Sequence, residues 1–135
     1  MNNVKIFFSV LGLLVAAVVV TIILRSTNGG GVVTPGKYDT FATCLKDSGI
    51  VFYGAFWCPH CQAQKKLFGS SAKLLPYVEC STADANGQTQ ICKDKGITSY
   101  PTWILPDGTL VPNETDAGVT LATLGAKTSC ALPVE

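Results

Sequence analysis

The sequence predicts an α/β fold: a mixed central sheet with helices on both faces, preceded by one N-terminal apolar helix. Three observations predict it. A charge-free, largely apolar segment, Ile6 to Leu24, lies near the start of the chain. Short apolar runs then alternate with stretches of helical periodicity. Towards the end, two β-prone runs flank Pro106-Asp107-Gly108, which adds an antiparallel hairpin to the alternating order.

The apolar segment holds 19 residues without a charge. At ~1.5 Å of rise per residue that length crosses a ~30 Å hydrocarbon core. A cleaved signal peptide is the alternative reading, but its apolar region is shorter and a small-x-small site follows it. Ser26 to Gly31 offers no Ala-x-Ala-like site. Residues 1–25 are therefore expected to form a retained anchor, with the lipid bilayer contacting residues 6–24. Lys5 flanks one end and Arg25 the other, so the positive-inside rule only leans towards a cytoplasmic N-terminus. Six cysteines are many for a reducing cytosol and ordinary for an oxidising compartment. The expected location is the cytoplasmic membrane, single-pass, with the remaining chain on the extracytoplasmic side.

The run Asn28-Gly29-Gly30-Gly31 and the pair Pro35-Gly36 mark residues 26–36 as a flexible tether, leaving 37–135 as one domain. Without Lys5 and Arg25, that part carries eight lysines against nine acids, a net charge of −1. No basic face for nucleic acid is indicated.

Tyr38, Phe41, Ala42 and Leu45 recur at helical spacing, and Gly49 can end that helix. Ile50 to Phe56 is a continuous apolar run, the pattern of a strand buried on both faces. Pro59 to about Leu75 reads as a helix, with polar Gln62, Gln64, Lys65 and Lys66 beside apolar Ala63, Leu67 and Phe68, and a kink or break at Gly69-Ser70-Ser71. Tyr77 to Cys80 is a short strand, and Gln88 to Lys95 a short helix stopped by Gly96. Thr102–Leu105 and Thr109–Val111 form the hairpin, and Val119 to Ser129 a final helix.

Between the first strand and the second helix stands Trp57-Cys58-Pro59-His60-Cys61. Two residues between the sulfurs allow a disulfide to open and close within one helical turn. Only a thiolate attacks a disulfide, and Cys58 at the helix N-terminus meets free backbone N–H groups and the positive end of the helix dipole. Pro59 suits the first helical position, where its missing N–H costs nothing. His60 can favour the thiolate by charge or by a hydrogen bond. Cys61, one turn inward, is the resolving partner. A zinc half-site and an inert staple are the competing readings. Zinc wants four ligands, and this chain has one such cysteine pair and one histidine, so no metal is expected. The expected redox group is the Cys58–Cys61 disulfide itself, with no added cofactor.

The pattern resembles the thioredoxin fold: the Cys58–Cys61 motif matches the active-site motif, and Tyr100-Pro101-Thr102 the loop that carries a cis-proline facing it. The Pro59-His60 dipeptide is similar to that of DsbA-like oxidants. The longer string Phe52 to Gly69, with Glu79-Cys80, Ile91-Cys92, Gly96-Ile97 and Tyr100 to Trp103, looks like the thioredoxin-like domain fused to, or partnered with, bacterial homologues of vitamin K epoxide reductase. The resemblance covers roughly Tyr38 to Cys130. It implies a thioredoxin-like fold and a protein thiol–disulfide oxidoreductase, an oxidant of thiol-containing exported polypeptides, reoxidised by a membrane protein similar to vitamin K epoxide reductase or DsbB. Two departures stand out. The four-helix quinone-reducing portion has no counterpart here. Many thioredoxins also carry a buried acid six residues before the first cysteine, where this chain has Phe52, so the proton acceptor of Cys61 is open between water and a backbone carbonyl.

A cis bond before Pro101 would turn the Tyr100 backbone towards Cys58, where an extended substrate could pair with it. Trp57, Tyr100 and Pro101 are thus the substrate-binding candidates. Trp103 is either an active-site neighbour or a core aromatic. The remaining cysteines are read as structural. A Cys80–Cys92 bridge would close the polar loop Ser81 to Gln90, leaving Cys44 and Cys130, near the ends of the first and last helices, as the other pair. Two alternatives remain: a reductase or isomerase built on the same site, and a redox-inert polypeptide-binding module.

Overall fold

The computed structural model describes residues 2–27 and 35–134, without the side chains of residues 2, 5 and 23–27. The chain divides into two units, residues 1–34 and 35–135. In the first, α1 spans Asn2–Thr27, so Ser26 and Thr27 extend the helix into the segment assigned to the tether. The rest of that expected tether, 28–34, lies outside the described residues. The described side chains of α1 run unbroken only over 6–22. Among the described residues no helix is long and apolar enough to cross a membrane.

The second unit begins at Pro35, earlier than the expected boundary, because Gly36 is tied in: its N–H donates to Asp39 Oδ2 at 2.9 Å. The elements that follow are α2 (Asp39–Asp47), β1 (Val51–Gly54), α3 (Pro59–Leu67), a 3-10 turn (Gly69–Leu74), β2 (Tyr77–Glu79), α4 (Gln90–Asp94), β3 (Thr102–Ile104), β4 (Leu110–Val111) and α5 (Leu121–Thr128). The helix expected from Pro59 to Leu75 is two pieces: Gly69, at φ +56°, takes a left-handed conformation that stops α3.

The strand order is β2-β1-β3-β4. β1 pairs parallel with β2 and antiparallel with β3, and β3 pairs antiparallel with β4, which makes the sheet mixed. Gly108, at φ +86°, closes the hairpin with its N–H on the Leu105 carbonyl at 2.9 Å.

Side chains alternate across β1, so its two faces bury different partners. Phe52 joins Trp103 and Val111 in a core with Phe41, Ala42 and Leu45 of α2, Cys61 of α3 and Leu124 of α5. Tyr53 faces the other way, with Cys80, Cys92 of α4, and Ile97. The cover is therefore unequal: three helices and the larger core on one face, one short helix on the other. Trp103 is a core residue, fully buried and stacked on Phe52 with ring centroids 4.7 Å apart.

Two disulfides staple this unit. Cys44–Cys130 joins the end of α2 to the segment after α5, with Cα atoms 5.8 Å apart. Cys80–Cys92 ties the end of β2 to α4, with Cα atoms 5.5 Å apart. Their sequence separations are 86 and 12. Chain-entropy arithmetic assigns such loops about 4.5 and about 3 kcal/mol respectively. Replacing both Cys44 and Cys130 with alanine is thus expected to cost more stability than replacing both Cys80 and Cys92. Urea unfolding of the two double variants checks the order.

Candidate active site

β1 ends at Gly54, and four residues later Cys58 caps α3 with an extended backbone, φ −75° and ψ 119°. The turn between them is closed by the Cys58 N–H on the Ala55 carbonyl at 3.0 Å. Pro59 occupies the start of α3, and the Cys58 carbonyl accepts the Gln62 N–H at 3.1 Å. The Gln62 side chain reaches back and donates to the Phe56 carbonyl at 2.9 Å. The loop carrying the cysteines is therefore held from both ends.

Cys58 and Cys61 are free thiols here. Cys58 is 5% exposed and Cys61 is fully buried. Burial pushes the Cys61 thiol up to about 12, and the neighbouring Cys58 thiol acts in the same direction. A hydrogen bond with the Ala55 backbone and the charge of Lys65 oppose the shift without cancelling it.

The Tyr100–Pro101 peptide bond is cis. The Tyr100 carbonyl lies 3.8 Å from Cys58 Sγ, so this loop faces the N-terminal cysteine. Tyr100 is anchored by its hydroxyl, which accepts from Gln88 Nε2 at 2.8 Å. Trp57 is half exposed, meets the Tyr100 ring edge-on at 6.2 Å, and donates its indole N–H to Ser81 Oγ at 2.8 Å. His60 is exposed, and its Nδ1 lies 2.6 Å from the Asp116 carbonyl. A carbonyl only accepts, so Nδ1 carries the proton.

The site thus brings together Trp57, Cys58, Pro59, His60, Cys61, Tyr100 and Pro101, while Cys44, Cys80, Cys92 and Cys130 are held apart in the two disulfides. Among the described residues no three His, Cys, Asp or Glu side chains converge as a metal ligand set.

Three features were not singled out from the sequence. Glu79 gathers the loop from beneath: Oε1 accepts the Phe56 N–H at 3.2 Å and the Ser81 N–H at 2.8 Å, while Oε2 accepts the Tyr77 hydroxyl at 2.7 Å. Burial, then that hydrogen bond, pushes the Tyr77 phenol upward, so it stays a donor. Lys65 Nζ sits 3.4 Å from the centre of the same ring. The third is Gln64, grouped by sequence with the polar side of α3. It is fully buried, while Leu67, grouped with the apolar side, is 37% exposed.

Gly54 decides how close Cys61 comes to the sheet. A Cβ there would stand 2.8 Å from Cys61 Sγ and 2.9 Å from Tyr77 Cε2, both inside van der Waals contact. Gly54→Ala is expected to cost about 1–3 kcal/mol by overpacking. Urea unfolding of the oxidised protein measures it, and an unchanged midpoint would mean that the ring and sulfur move aside freely.

Residues 32–128 match the family described as Thioredoxin. The chain belongs to the thioredoxin family. It is 46% identical over 70 residues to the thiol-disulfide oxidoreductase LTO1 of Arabidopsis thaliana, a match covering 49% of this chain and 19% of that protein. It is 31% identical over 96 residues to the protein disulfide-isomerase of Humicola insolens, covering 68% of this chain and 17% of that protein. The chain therefore spans about a fifth or less of the length of these relatives. Both names support thiol–disulfide oxidoreductase activity for the domain that carries Cys58 and Cys61.

Proposed function

We propose that this protein is a membrane-anchored, extracytoplasmic thiol–disulfide oxidoreductase that introduces disulfides into exported polypeptides. The observation that carries the reading is the position of Cys58: at the N-terminus of α3, buried but for 5% of its surface, and 3.8 Å from the Tyr100 carbonyl on the cis-proline loop. An extended substrate lying along that loop brings its sulfur to Cys58 rather than to Cys61.

The chemistry balances within the two cysteines. A substrate thiolate attacks Cys58 Sγ of the oxidised pair, the Cys58–Cys61 bond breaks, and Cys61 leaves and takes up a proton. A second substrate thiolate attacks the first substrate sulfur in the mixed disulfide, forming the substrate disulfide, and Cys58 leaves as a thiolate. Substrate is oxidised by two electrons and the pair reduced by two. The helix N-terminus favours the departing Cys58 anion, and the raised Cys61 thiol keeps the proton it has gained.

Reoxidation needs an electron acceptor. The reading assigns it to a membrane-embedded protein similar to vitamin K epoxide reductase or DsbB, on the strength of the resemblance of Phe52 to Gly69. Anchoring is supported by the charge-free run Ile6 to Leu24 and by the exposure of apolar side chains on consecutive positions of α1, from Ile6, Phe7 and Phe8 to Val18, Val19 and Val20.

Glutathione equilibration of the full-length protein in detergent tests the direction. An oxidant lies above thioredoxin's roughly −270 mV, nearer −200 mV. His60→Gly is expected to lower the potential by removing the imidazole from the first turn of α3, which Cys58 caps. A wild-type value at or below that of thioredoxin makes the protein a reductase. A wild-type protein that neither equilibrates with glutathione nor refolds reduced ribonuclease is a redox-inert binding module.

A further inference from the structure

The segment between β4 and α5 is tied to both halves of the active site. On the helix side, fully buried Gln64 pairs with one residue through both ends of its amide: Nε2 donates to the Val119 carbonyl at 2.9 Å, and Oε1 accepts the Val119 N–H at 2.7 Å. His60, one helical turn earlier, donates from Nδ1 to Asp116 of the same segment at 2.6 Å. On the loop side, Asn113 Nδ2 donates to the Pro101 carbonyl at 3.0 Å. Gly118, at φ +93°, is wedged between them: a Cβ there would collide with Gln64 Oε1 and approach Pro101 Cγ to 2.9 Å.

A buried primary amide is costly unless its donor and acceptor are both paired, and a core built for packing alone would place an aliphatic side chain here. Gln64 meets that requirement by copying the pairing of a β-strand neighbour. The fold places this cost three residues after Cys61 and directly behind Pro101. Nothing else among the described residues hydrogen-bonds the 113–119 segment to α3 and to the Pro101 loop at once.

We propose that Gln64 and Asn113 are positioning residues for thiol–disulfide exchange. Together they hold segment 113–119 as a brace that fixes the gap between the Cys58 end of α3 and the Tyr100–Pro101 edge, and so set how well an extended polypeptide docks. A small disulfide needs only access to sulfur. A polypeptide also needs the backbone edge at the right distance from Cys58. The brace therefore acts on discrimination between the two more than on sulfur chemistry. This deepens the oxidoreductase reading and rests on it.

The test compares the full-length wild type with Gln64→Leu, which keeps similar volume and loses both bonds, and with Asn113→Ala. Asn113 is exposed, so its variant folds even if Gln64→Leu does not. The readout is the ratio of kcat/KM for a reduced ribonuclease substrate to the rate with glutathione. The ratio is expected to fall about tenfold in each variant, carried by KM, the scale of one or two lost hydrogen bonds. A purely structural role would lower both rates together. A ratio unchanged in Asn113→Ala, and in Gln64→Leu if folded, overturns the proposal. Binding of a cysteine-free extended peptide, followed by Trp57 emission, reads docking without chemistry. If the wild type is inactive on ribonuclease but binds this peptide more tightly than Asn113→Ala, the oxidant reading fails and the brace stands. If wild type and variant bind it equally, or neither binds it, the brace fails.

Discussion

Cys58→Ser is expected to reduce catalysed refolding of ribonuclease to the background rate, a loss on the order of 10³-fold or more. Cys61→Ser is expected to lose turnover by a different route. Cys58 caps α3 beside the Tyr100 carbonyl, whereas Cys61 is fully buried against Gly54. Substrate therefore meets Cys58 first, and without Cys58 no mixed disulfide forms. Without Cys61 the Cys58 thiolate still opens a substrate disulfide, expelling one substrate thiol, and the resulting mixed disulfide has no internal thiol to release it. Non-reducing electrophoresis of the two variants, reduced and then incubated with scrambled, disulfide-bonded ribonuclease, separates these fates. The Cys61 variant accumulates a covalent adduct, and the Cys58 variant does not. An adduct on the Cys58 variant would reverse the order of attack.

The motif and the strand that delivers it were legible because both are local. A continuous apolar run, then two cysteines around Pro59-His60, needs only nearest neighbours to be read. The cis-proline loop was reached through the resemblance, since nothing in Tyr100-Pro101 by itself says which strand lies opposite. The parts that escaped are those whose partners are remote in sequence. Gln64 and Leu67 show why. Helical periodicity places Gln64 with its polar neighbours, but the protein buries it against Val119, 55 positions away, and leaves Leu67 at the surface. Polarity predicts exposure only until a backbone partner is available in the interior. Glu79 escaped for the same reason, since its bond to the Phe56 N–H crosses from β2 to the active-site loop. At position 52 the expected acid is replaced by a stacked aromatic: Phe52 lies between Trp103 and Tyr77, at 4.7 and 5.1 Å. The space beneath Cys61 is thus apolar, and the same packing that stabilises the sheet raises the thiol above it.

That thiol gives the second large effect. Held at about 12 by burial, Cys61 carries about three thousandfold less thiolate near neutral pH than a cysteine at the ordinary ~8.5. In the reduced protein at about pH 8, iodoacetamide is expected to label Cys58 and leave Cys61 unmodified, with labelling of Cys61 appearing only as the solution approaches its folded-state value. The stability of the reduced protein carries the same signature. The fold prefers the protonated form of Cys61, so the unfolded chain releases this proton first. The contribution is fully present below about 8.5, falls as pH rises from there, and is gone above about 12. Lysines and tyrosines titrate in the same window, so the measured quantity is the difference in urea midpoint between the reduced wild type and Cys61→Ala as a function of pH. That difference should shrink with rising pH, while the oxidised protein, with no Cys61 proton to lose, shows no such trend. A difference that is flat across the window, or equal labelling of the two cysteines at about pH 8, would remove the physical basis for calling Cys61 the shielded, resolving thiol.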